Sequence, residues 1–284
     1  MPELPPHLRA GLTDSAGQPW EGRTFGENPW QDDDGSTPVA LGGALRAFRA
    51  GEASPSAVVD ALRETRLLVP LVAELGEEGE NEQGVKVDKS ADLSIVTVKA
   101  PDGRGVVPVF SSVDAMRRWD AAARPVPVDS RRAALAAVDE GNELLILDPG
   151  SEETEFVVRR PAVWAISQAA EYELPWQDAE VMRIARSVLA ADDRILGIDL
   201  LPGDPGCVFA GPELVFAVQL DEELEQDAQR EVLETVQRLL AGSEELVRRV
   251  DSLVLRVDRV RRDPLPSKDA RTPRAGLFGR RRRR

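Results

Sequence analysis

The sequence predicts an α+β protein with two domains, each a mixed or antiparallel sheet covered by helices. Three observations lead to this prediction. Apolar residues recur at helical spacing in several segments, short apolar runs typical of strands lie between those segments, and the whole pattern restarts near residue 172. At 284 residues the chain is long enough for two domains of ordinary size.

The N-terminal part of the chain is predicted to contain an irregular arm and then two helices. Residues 1–38 form the arm, because they are rich in Gly, Pro and Asp. The first domain, 39–168, begins with a helix whose apolar residues recur at positions i, i+3, i+4 and i+7. A second helix is predicted from Pro55, with Ser54 as its N-cap.

Strands, a hairpin and further helices complete the first domain. A buried strand is predicted over 67–75, and the polar stretch 76–92 is expected to be a solvated loop. The apolar runs 93–100 and 105–110 flank an Asp-Gly pair, which is the turn signal of a β-hairpin. The remaining predicted elements are two helices (112–122 and 129–140), two strands (143–148 and 155–160) and a short helix after Pro161.

The second domain is predicted over 172–260 and has its own helices and strands. Its elements are a helix with an apolar stripe from Val181 to Leu189, strands over 194–201 and 213–220, a long helix with a stripe from Ala228 to Leu240, and a strand over 252–257. Residues 261–284 are rich in Pro and Arg and have no apolar periodicity, so we expect them to be disordered.

The composition argues against several classes of function. No apolar stretch has the length of a membrane span, and the start of the chain has no hydrophobic signal core, so we expect a cytoplasmic protein. Residues 271–284 hold seven arginines and no acid. Removing these seven positive charges from the formal net charge of −14 leaves −21 on the rest, which would repel phosphate backbones and argues against nucleic-acid contact by the folded body.

The residues that usually hold metals and cofactors are scarce. One histidine and one cysteine cannot form a zinc site from soft ligands. The run QDDDGS (31–36) lacks the carboxylates that a calcium loop needs at its first and twelfth positions, and is better interpreted as a solvated turn. The Pro/Gly loop before Cys207 lacks the Lys-Ser/Thr pair of a phosphate-binding loop. The sequence therefore predicts no metal and no cofactor.

Two serines in the stretch VPVFSSVDAMRRWD (107–120) raise the question of catalysis. A nucleophilic serine needs a base, and the single histidine, His7, lies in a Pro-rich leader. Ser111 or Ser112 instead precedes a helical pattern where a hydroxyl can cap a helix, and Asp114 suits its first turn. The spacing Ser111-x-x-Asp114 approximates a capping box. We therefore predict a structural capping role for these residues and no catalytic residue.

Cys207 and the C-terminal arginines each allow two interpretations. Cys207 is either a small packed hydrophobe or a reactive thiol, and no partner cysteine or neighbouring base supports the second. The arginine run is either a solubilising tail that folds back loosely onto the acidic body or a tether to an anionic surface such as membrane lipid or ribosomal RNA. The residues that would contact such a surface are Arg280, Arg281, Arg282, Arg283 and Arg284.

Several motifs that occur in order resemble those of one family. The positions are Leu68 to Leu71, Pro108 to Phe110, Ser111, Ser112, Asp114, Trp119 and Asp148 to Gly150. Over roughly 40–168 the chain resembles the N-terminal domain of the SseB family, which is named for enhanced serine sensitivity. The second domain resembles the C-terminal domain often found with it, and the arm and arginine tail resemble those of actinobacterial members. The resemblance implies no established enzymatic activity and no catalytic residues.

Two functions remain open from the sequence. The first is a non-enzymatic SseB-like protein that binds an unidentified protein partner through the surfaces of its two domains. It is favoured because the chain lacks ordinary catalytic groups while both domains have well-patterned cores. The alternative is a small-ligand-binding protein or enzyme that uses carboxylates and arginines in a cleft between the two domains.

Overall fold

The computed structural model describes residue 30, residues 32–71, the backbone of 79–80 and 86–87, and residues 96–261. Within these ranges the sheets are antiparallel or mixed and helices pack on them, which confirms the predicted α+β class. Most of the predicted arm and all of the tail after residue 261 lie outside the described residues.

The first part of the chain, up to residue 168, is built from helices and short strands. In chain order these are α1 (Val39–Arg49), α2 (Pro55–Arg63), β1 (Arg66–Leu71), β2 (Gly79–Glu80), β3 (Lys86–Val87), β4 (Val98–Lys99), β5 (Gly105–Val109), α3 (Val113–Trp119), β6 (Arg124–Asp129), α4 (Ser130–Asp139), β7 (Leu144–Leu147), β8 (Phe156–Val158) and α5 (Arg160–Gln168).

A four-stranded sheet of order β4-β5-β7-β8 is the centre of this part. The strands β5 and β7 are parallel, and the other neighbours are antiparallel. The predicted hairpin at Asp-Gly is confirmed as β4–β5, and Gly103 adopts φ 88° in its turn, a conformation that favours glycine. Apolar side chains such as Val109 and Leu147 are fully buried and form one core with residues of α1, α2, α4 and α5.

A second, antiparallel pair of strands extends this sheet and was not predicted in full. The predicted strand β1 pairs with β6, and a bridge between Leu68 and Phe110 links β1 to the end of β5. The sequence of β6, RPVPVD, contains Pro125 and Pro127. Because proline cannot donate a ladder hydrogen bond, pattern rules demote such a run, although it can form an edge strand.

The second part of the chain contains a three-stranded sheet with helices on one face. Its elements are α6 (Ala179–Leu189), β9 (Ile195–Pro202), β10 (Leu214–Asp221), α7 (Gln226–Ala241), α8 (Glu244–Arg249) and β11 (Leu253–Val260). The order is β11-β10-β9, with β10 parallel to β11 and antiparallel to β9. Alternate residues of β10, such as Phe216 and Val218, are fully buried against the helices and form a second core.

The structure differs from the sequence prediction in three local features. Helix α8 has six residues, which is too short to show a helical period. The strands β2 and β3 pair within the stretch that was predicted to be only loop. Ser54 is the N-cap residue of α2 as predicted, but its hydroxyl lies 2.7 Å from the hydroxyl of Ser56 and makes no capping hydrogen bond.

Candidate functional site

Ser111 and Ser112, the two serines considered above as possible catalytic residues, lie between the end of β5 and the start of α3. Ser112 is the N-cap of α3, and its hydroxyl accepts a hydrogen bond from the backbone N–H of Ala115 at 3.1 Å. Asp114 lies in the first turn, where its negative charge suits the helix dipole. The capping box Ser111-x-x-Asp114 does not form, because the cap is one residue later and the N3 residue is then Ala115.

Ser111 is bonded to a carboxylate that the sequence did not connect with it. Its backbone N–H donates to Asp148 Oδ1 at 2.7 Å, and its hydroxyl donates to Asp148 Oδ2 at 2.6 Å. The two residues follow the parallel strands β5 and β7, whose carboxyl ends meet at one edge of the sheet. That topology is the signal that could have predicted the pair. The Ser111 carbonyl also accepts a hydrogen bond from Arg66 at 2.7 Å.

The position of the Ser111–Asp148 pair indicates a structural role. Each residue is only 1% exposed, so no substrate can reach the hydroxyl without local unfolding. Burial raises the pKa of Asp148, and the hydrogen bonds from Ser111 partly offset that rise. We conclude that Ser112 caps α3 while Ser111 ties the ends of two neighbouring strands together.

A buried cluster of arginines and carboxylates joins the first part of the chain to the second. We call Arg104, Arg159, Asp204 and Asp251 the central cluster. Arg159 Nη2 donates to Asp204 Oδ2 and to the carbonyl of Gly211, both at 2.7 Å. Its Nη1 donates to Asp251 Oδ2 at 3.3 Å. The Arg159 side chain is 7% exposed and the two aspartates 2% and 0%, so these pairs are shielded from solvent.

Arg104 completes the cluster from the β4–β5 turn. Its Nη1 and Nη2 donate to the two carboxylate oxygens of Asp251 at 2.7 and 3.0 Å, which is the bidentate geometry of strong ion pairs. Burial opposes ionisation of Asp251, but the hydrogen bonds from Arg104 and the charges of Arg104 and Arg159 outweigh it and lower its pKa. Both guanidinium groups also lie over the ring of Phe209, at 5.5 and 4.9 Å.

A second buried carboxyl group lies beside the cluster. Glu213 accepts a hydrogen bond from the hydroxyl of Tyr172 at 3.0 Å and another from the backbone N–H of Asp251 at 2.6 Å. Burial raises the pKa of Glu213 to about 7, despite these two hydrogen bonds. Cys207 lies in the same region, and burial, followed by the charge of Asp204, raises the pKa of its thiol to about 12. The thiol therefore packs as a small hydrophobe and is not a thiolate at neutral pH.

The polar side chains of the central cluster and of the neighbouring Glu213 are hydrogen-bonded mainly to other groups of the protein. The cavity that Arg159, Tyr172, Asp204, Cys207 and Glu213 help to line has a volume of about 30 Å³. That volume holds about one or two water molecules and no substrate of ordinary size. The residue types that the small-ligand alternative required are thus present at the junction, but they are paired with each other in a tightly filled space.

A wide concave surface lies beside β11. It has a volume of about 450 Å³, and we call it the β11 groove. It is mostly apolar and is lined by Leu240 and Ala241 of α7, Leu246 and Val247 of α8, Val250, and Leu253 and Leu255 of β11, with Arg160, Gln237, Asp251 and Ser252 as its polar members. Val247 is 57% exposed, so its isopropyl group is open to a partner.

The first part of the chain supports one wall of this groove. Arg160 Nη2 donates to the carbonyls of Val247 and Val250 at 2.7 and 2.6 Å, at the C-terminal end of α8. A cation suits this end of a helix because the last carbonyls are otherwise unpaired. Arg160 is therefore positioned to hold the short helix α8 against the rest of the protein.

The strand next to the groove is an edge strand. Among the residues that the structure describes, β11 has β10 on one side and no strand on the other. The carbonyls of Ser252 and Val260 accept hydrogen bonds from the β10 side. Because backbone groups alternate in direction along a strand, Leu253, Leu255 and Val257 direct their N–H and C=O groups to the open side.

The other features considered in the sequence are the acidic run 31–36, possible metal ligands, membrane helices and the C-terminal arginines. Asp33 and Asp34 accept hydrogen bonds from the backbone N–H groups of Gly35 and Ser36, at 2.9 and 2.8 Å, which gives the run 31–36 the form of turns. In the described ranges no group of three or more His, Cys, Asp or Glu is arranged to hold a metal ion. No helix in those ranges combines the length and apolar character needed to cross a membrane. Arg280 to Arg284 lie outside them.

Comparison with known proteins gives one match. No curated protein and no solved structure matches the chain. The family model described as the SseB protein N-terminal domain matches residues 41–165, which include the strands β1, β5 and β7 and the Ser111–Asp148 pair. This match supports the SseB family for the first part of the chain.

Proposed function

We propose that this protein is a non-enzymatic, cytoplasmic SseB-like protein that binds a protein partner through the β11 groove and the open edge of β11. The observation that carries the proposal is the coincidence of an open strand edge with a 450 Å³ apolar groove on the same strand. We further propose that 172–260 is the C-terminal domain of an SseB-like pair, supported by its separate hydrophobic core.

The edge of β11 suits an added strand from another protein. Main-chain hydrogen bonds to the outward groups of Leu253, Leu255 and Val257 would provide affinity for any extended segment. A strand added there would place alternate side chains on the face that carries Leu253 and Leu255, which is the face that opens into the groove. Specificity would then come from apolar side chains at every second position.

Charge limits the kind of partner further. Residues 172–260 contain 19 aspartates and glutamates against nine arginines, for a formal net charge of −10. A partner segment with basic residues beside its apolar ones would be attracted to this half of the protein, and an acidic one repelled. The proposed partner therefore offers an extended segment in which apolar residues alternate with lysine or arginine.

The chemistry of the buried groups favours binding over catalysis. Ser111 and Asp148 are enclosed, and Cys207 is protonated at neutral pH. Glu213 has a pKa suited to acid–base work, but the adjoining cavity holds about one or two water molecules. These features support a non-enzymatic role and disfavour the alternative of a carboxylate and arginine cleft.

A panel of labelled synthetic peptides tests the proposal. Eight-residue peptides in which Val or Leu alternates with Lys are titrated by fluorescence anisotropy, with scrambled peptides of equal composition as controls. We expect the alternating peptides to bind more tightly than the scrambled ones. The neutral substitution Val247→Asn should weaken binding about tenfold, because it removes the burial of one valine side chain.

Val254→Asn is the matched control. Val254 is 44% exposed on the same strand, but it lies on the face opposite to the groove. It should leave peptide affinity unchanged. Equal affinity for alternating and scrambled peptides, or equal loss in both variants, would refute binding at the groove.

A further inference from the structure

The β11 groove and the sequence that follows β11 have complementary properties. Residues 271–284, RTPRAGLFGRRRRR, contain seven arginines, no acid and one apolar pair, Leu277 and Phe278. We propose that this pair occupies the β11 groove of its own chain, so that the C-terminal segment competes with a protein partner for the same surface. This inference rests on the function proposed above.

The first argument is charge. The half of the protein that carries the groove has a formal net charge of −10 over 172–260, and the segment 271–284 has +7. Opposite charges of this size attract over about 8–10 Å at physiological ionic strength. The arginine run begins at Arg280, two residues after Phe278, so attraction of the segment to the acidic half brings its apolar pair to the same surface.

The second argument is reach. The groove is lined by Leu253 and Leu255, and β11 ends at Val260, so the chain must return about 15–25 Å along the strand. Leu277 lies sixteen positions after Arg261 in the sequence. A random-coil linker of that length has a root-mean-square span of about 20–24 Å. The match between span and distance gives an effective concentration in the order of millimolar.

The third argument is chemical fit. The groove is lined mainly by Leu, Val and Ala side chains, and Val247 at its rim is exposed. Leucine and phenylalanine are the only large apolar residues within 271–284, and glycines flank them at Gly276 and Gly279. Glycine lets a backbone approach a surface closely and turn there. An apolar pair between glycines, on a cationic segment, suits an apolar groove in an acidic surface.

Competition with a free peptide tests this arrangement in the full-length chain. The probe is a labelled synthetic peptide with the sequence of residues 271–284, and its dissociation constant is measured by fluorescence anisotropy. The double variant Leu277→Ser/Phe278→Ser keeps every arginine but removes the apolar pair. If the segment occupies the groove, this variant should bind the peptide at least tenfold more tightly than the wild type. Adding Val247→Asn should reverse the gain, whereas adding Val254→Asn should not.

Two other results would each overturn the inference. If the wild type and Leu277→Ser/Phe278→Ser bind the peptide with the same affinity and both depend on Val247, the groove is a docking surface but its own tail does not fill it. If neither protein binds the peptide, the tail is not an occupant at all. In that case the alternating peptides of the preceding experiment decide separately whether a partner binds there.

Discussion

Removal of Arg159 is the sharpest test of how the two parts of the chain are held together. The substitution Arg159→Met keeps an unbranched side chain, somewhat shorter than arginine, but removes the guanidinium group. It deletes the hydrogen bonds to Asp204 at 2.7 Å, to Asp251 at 3.3 Å, to the hydroxyl of Ser252 at 3.2 Å and to the carbonyl of Gly211 at 2.7 Å. Asp204, whose side chain is 2% exposed, then keeps only backbone N–H donors.

The expected loss of stability is large because the charges left behind are buried. Breaking a buried ion pair by removing one partner costs about 3–5 kcal/mol, mainly through the uncompensated charge. Asp251 retains its two hydrogen bonds from Arg104, so most of the cost should come from Asp204. The free energy of unfolding should therefore fall by about 3–5 kcal/mol. With a urea m-value of about 3 kcal/mol/M, as is typical of larger chains, this corresponds to a midpoint lower by about 1–2 M.

Urea unfolding followed by tryptophan fluorescence and far-UV circular dichroism measures this change. Arg194→Met is the matched control, because Arg194 also makes ion pairs with two acids, Asp192 and Glu231, but is 38% exposed. Exposed pairs contribute about 0–1 kcal/mol, so the control should be nearly neutral. A loss below about 1 kcal/mol for Arg159→Met, or equal losses in the two variants, would refute the assignment of the central cluster as a buried junction.

Three further predictions concern the buried polar groups. The native Glu213 carboxyl, with its pKa of about 7, keeps its proton between pH 4.5 and about 7, whereas the unfolded one loses it, so the free energy of unfolding should fall by up to about 3 kcal/mol as the pH rises over that range. Urea titrations at several pH values should show a smaller fall for Glu213→Gln. The same pH dependence of stability in both proteins would contradict the assignment. Cys207 should react with a thiol reagent at pH 8 about 1000-fold more slowly in the native than in the unfolded protein, and comparable rates would show an accessible thiolate. Ser111→Ala should lower the free energy of unfolding by about 1–3 kcal/mol because Asp148 loses a buried hydrogen-bond donor. Ser112→Ala should lower it by about 1 kcal/mol because helix α3 loses its N-cap. Thermal unfolding measures both changes, and an unchanged stability of Ser111→Ala would contradict the first prediction.

The elements that followed from the sequence are those whose pattern is local. Helix α1, the β4–β5 hairpin and the strand β10 each contain a periodic or turn signal within their own residues, and all three are present. The strand β6 escaped prediction because its prolines obscure the pattern, and α8 because it is too short. The Ser111–Asp148 pair joins residues 37 positions apart, so no local spacing could have indicated it.

The sequence by itself determined the α+β class, a helix cap at Ser111 or Ser112, the acidic charge of the body and its scarcity of catalytic groups. These properties depend on which residues occur and on how they repeat along a few turns of chain. Tertiary structure alone decided that Arg159 lies against Asp204 and Asp251, and that an open edge at β11 lies beside an apolar groove. Such contacts depend on how distant segments pack in space, where burial changes the energy of each charge, and that information is absent from any single stretch of sequence.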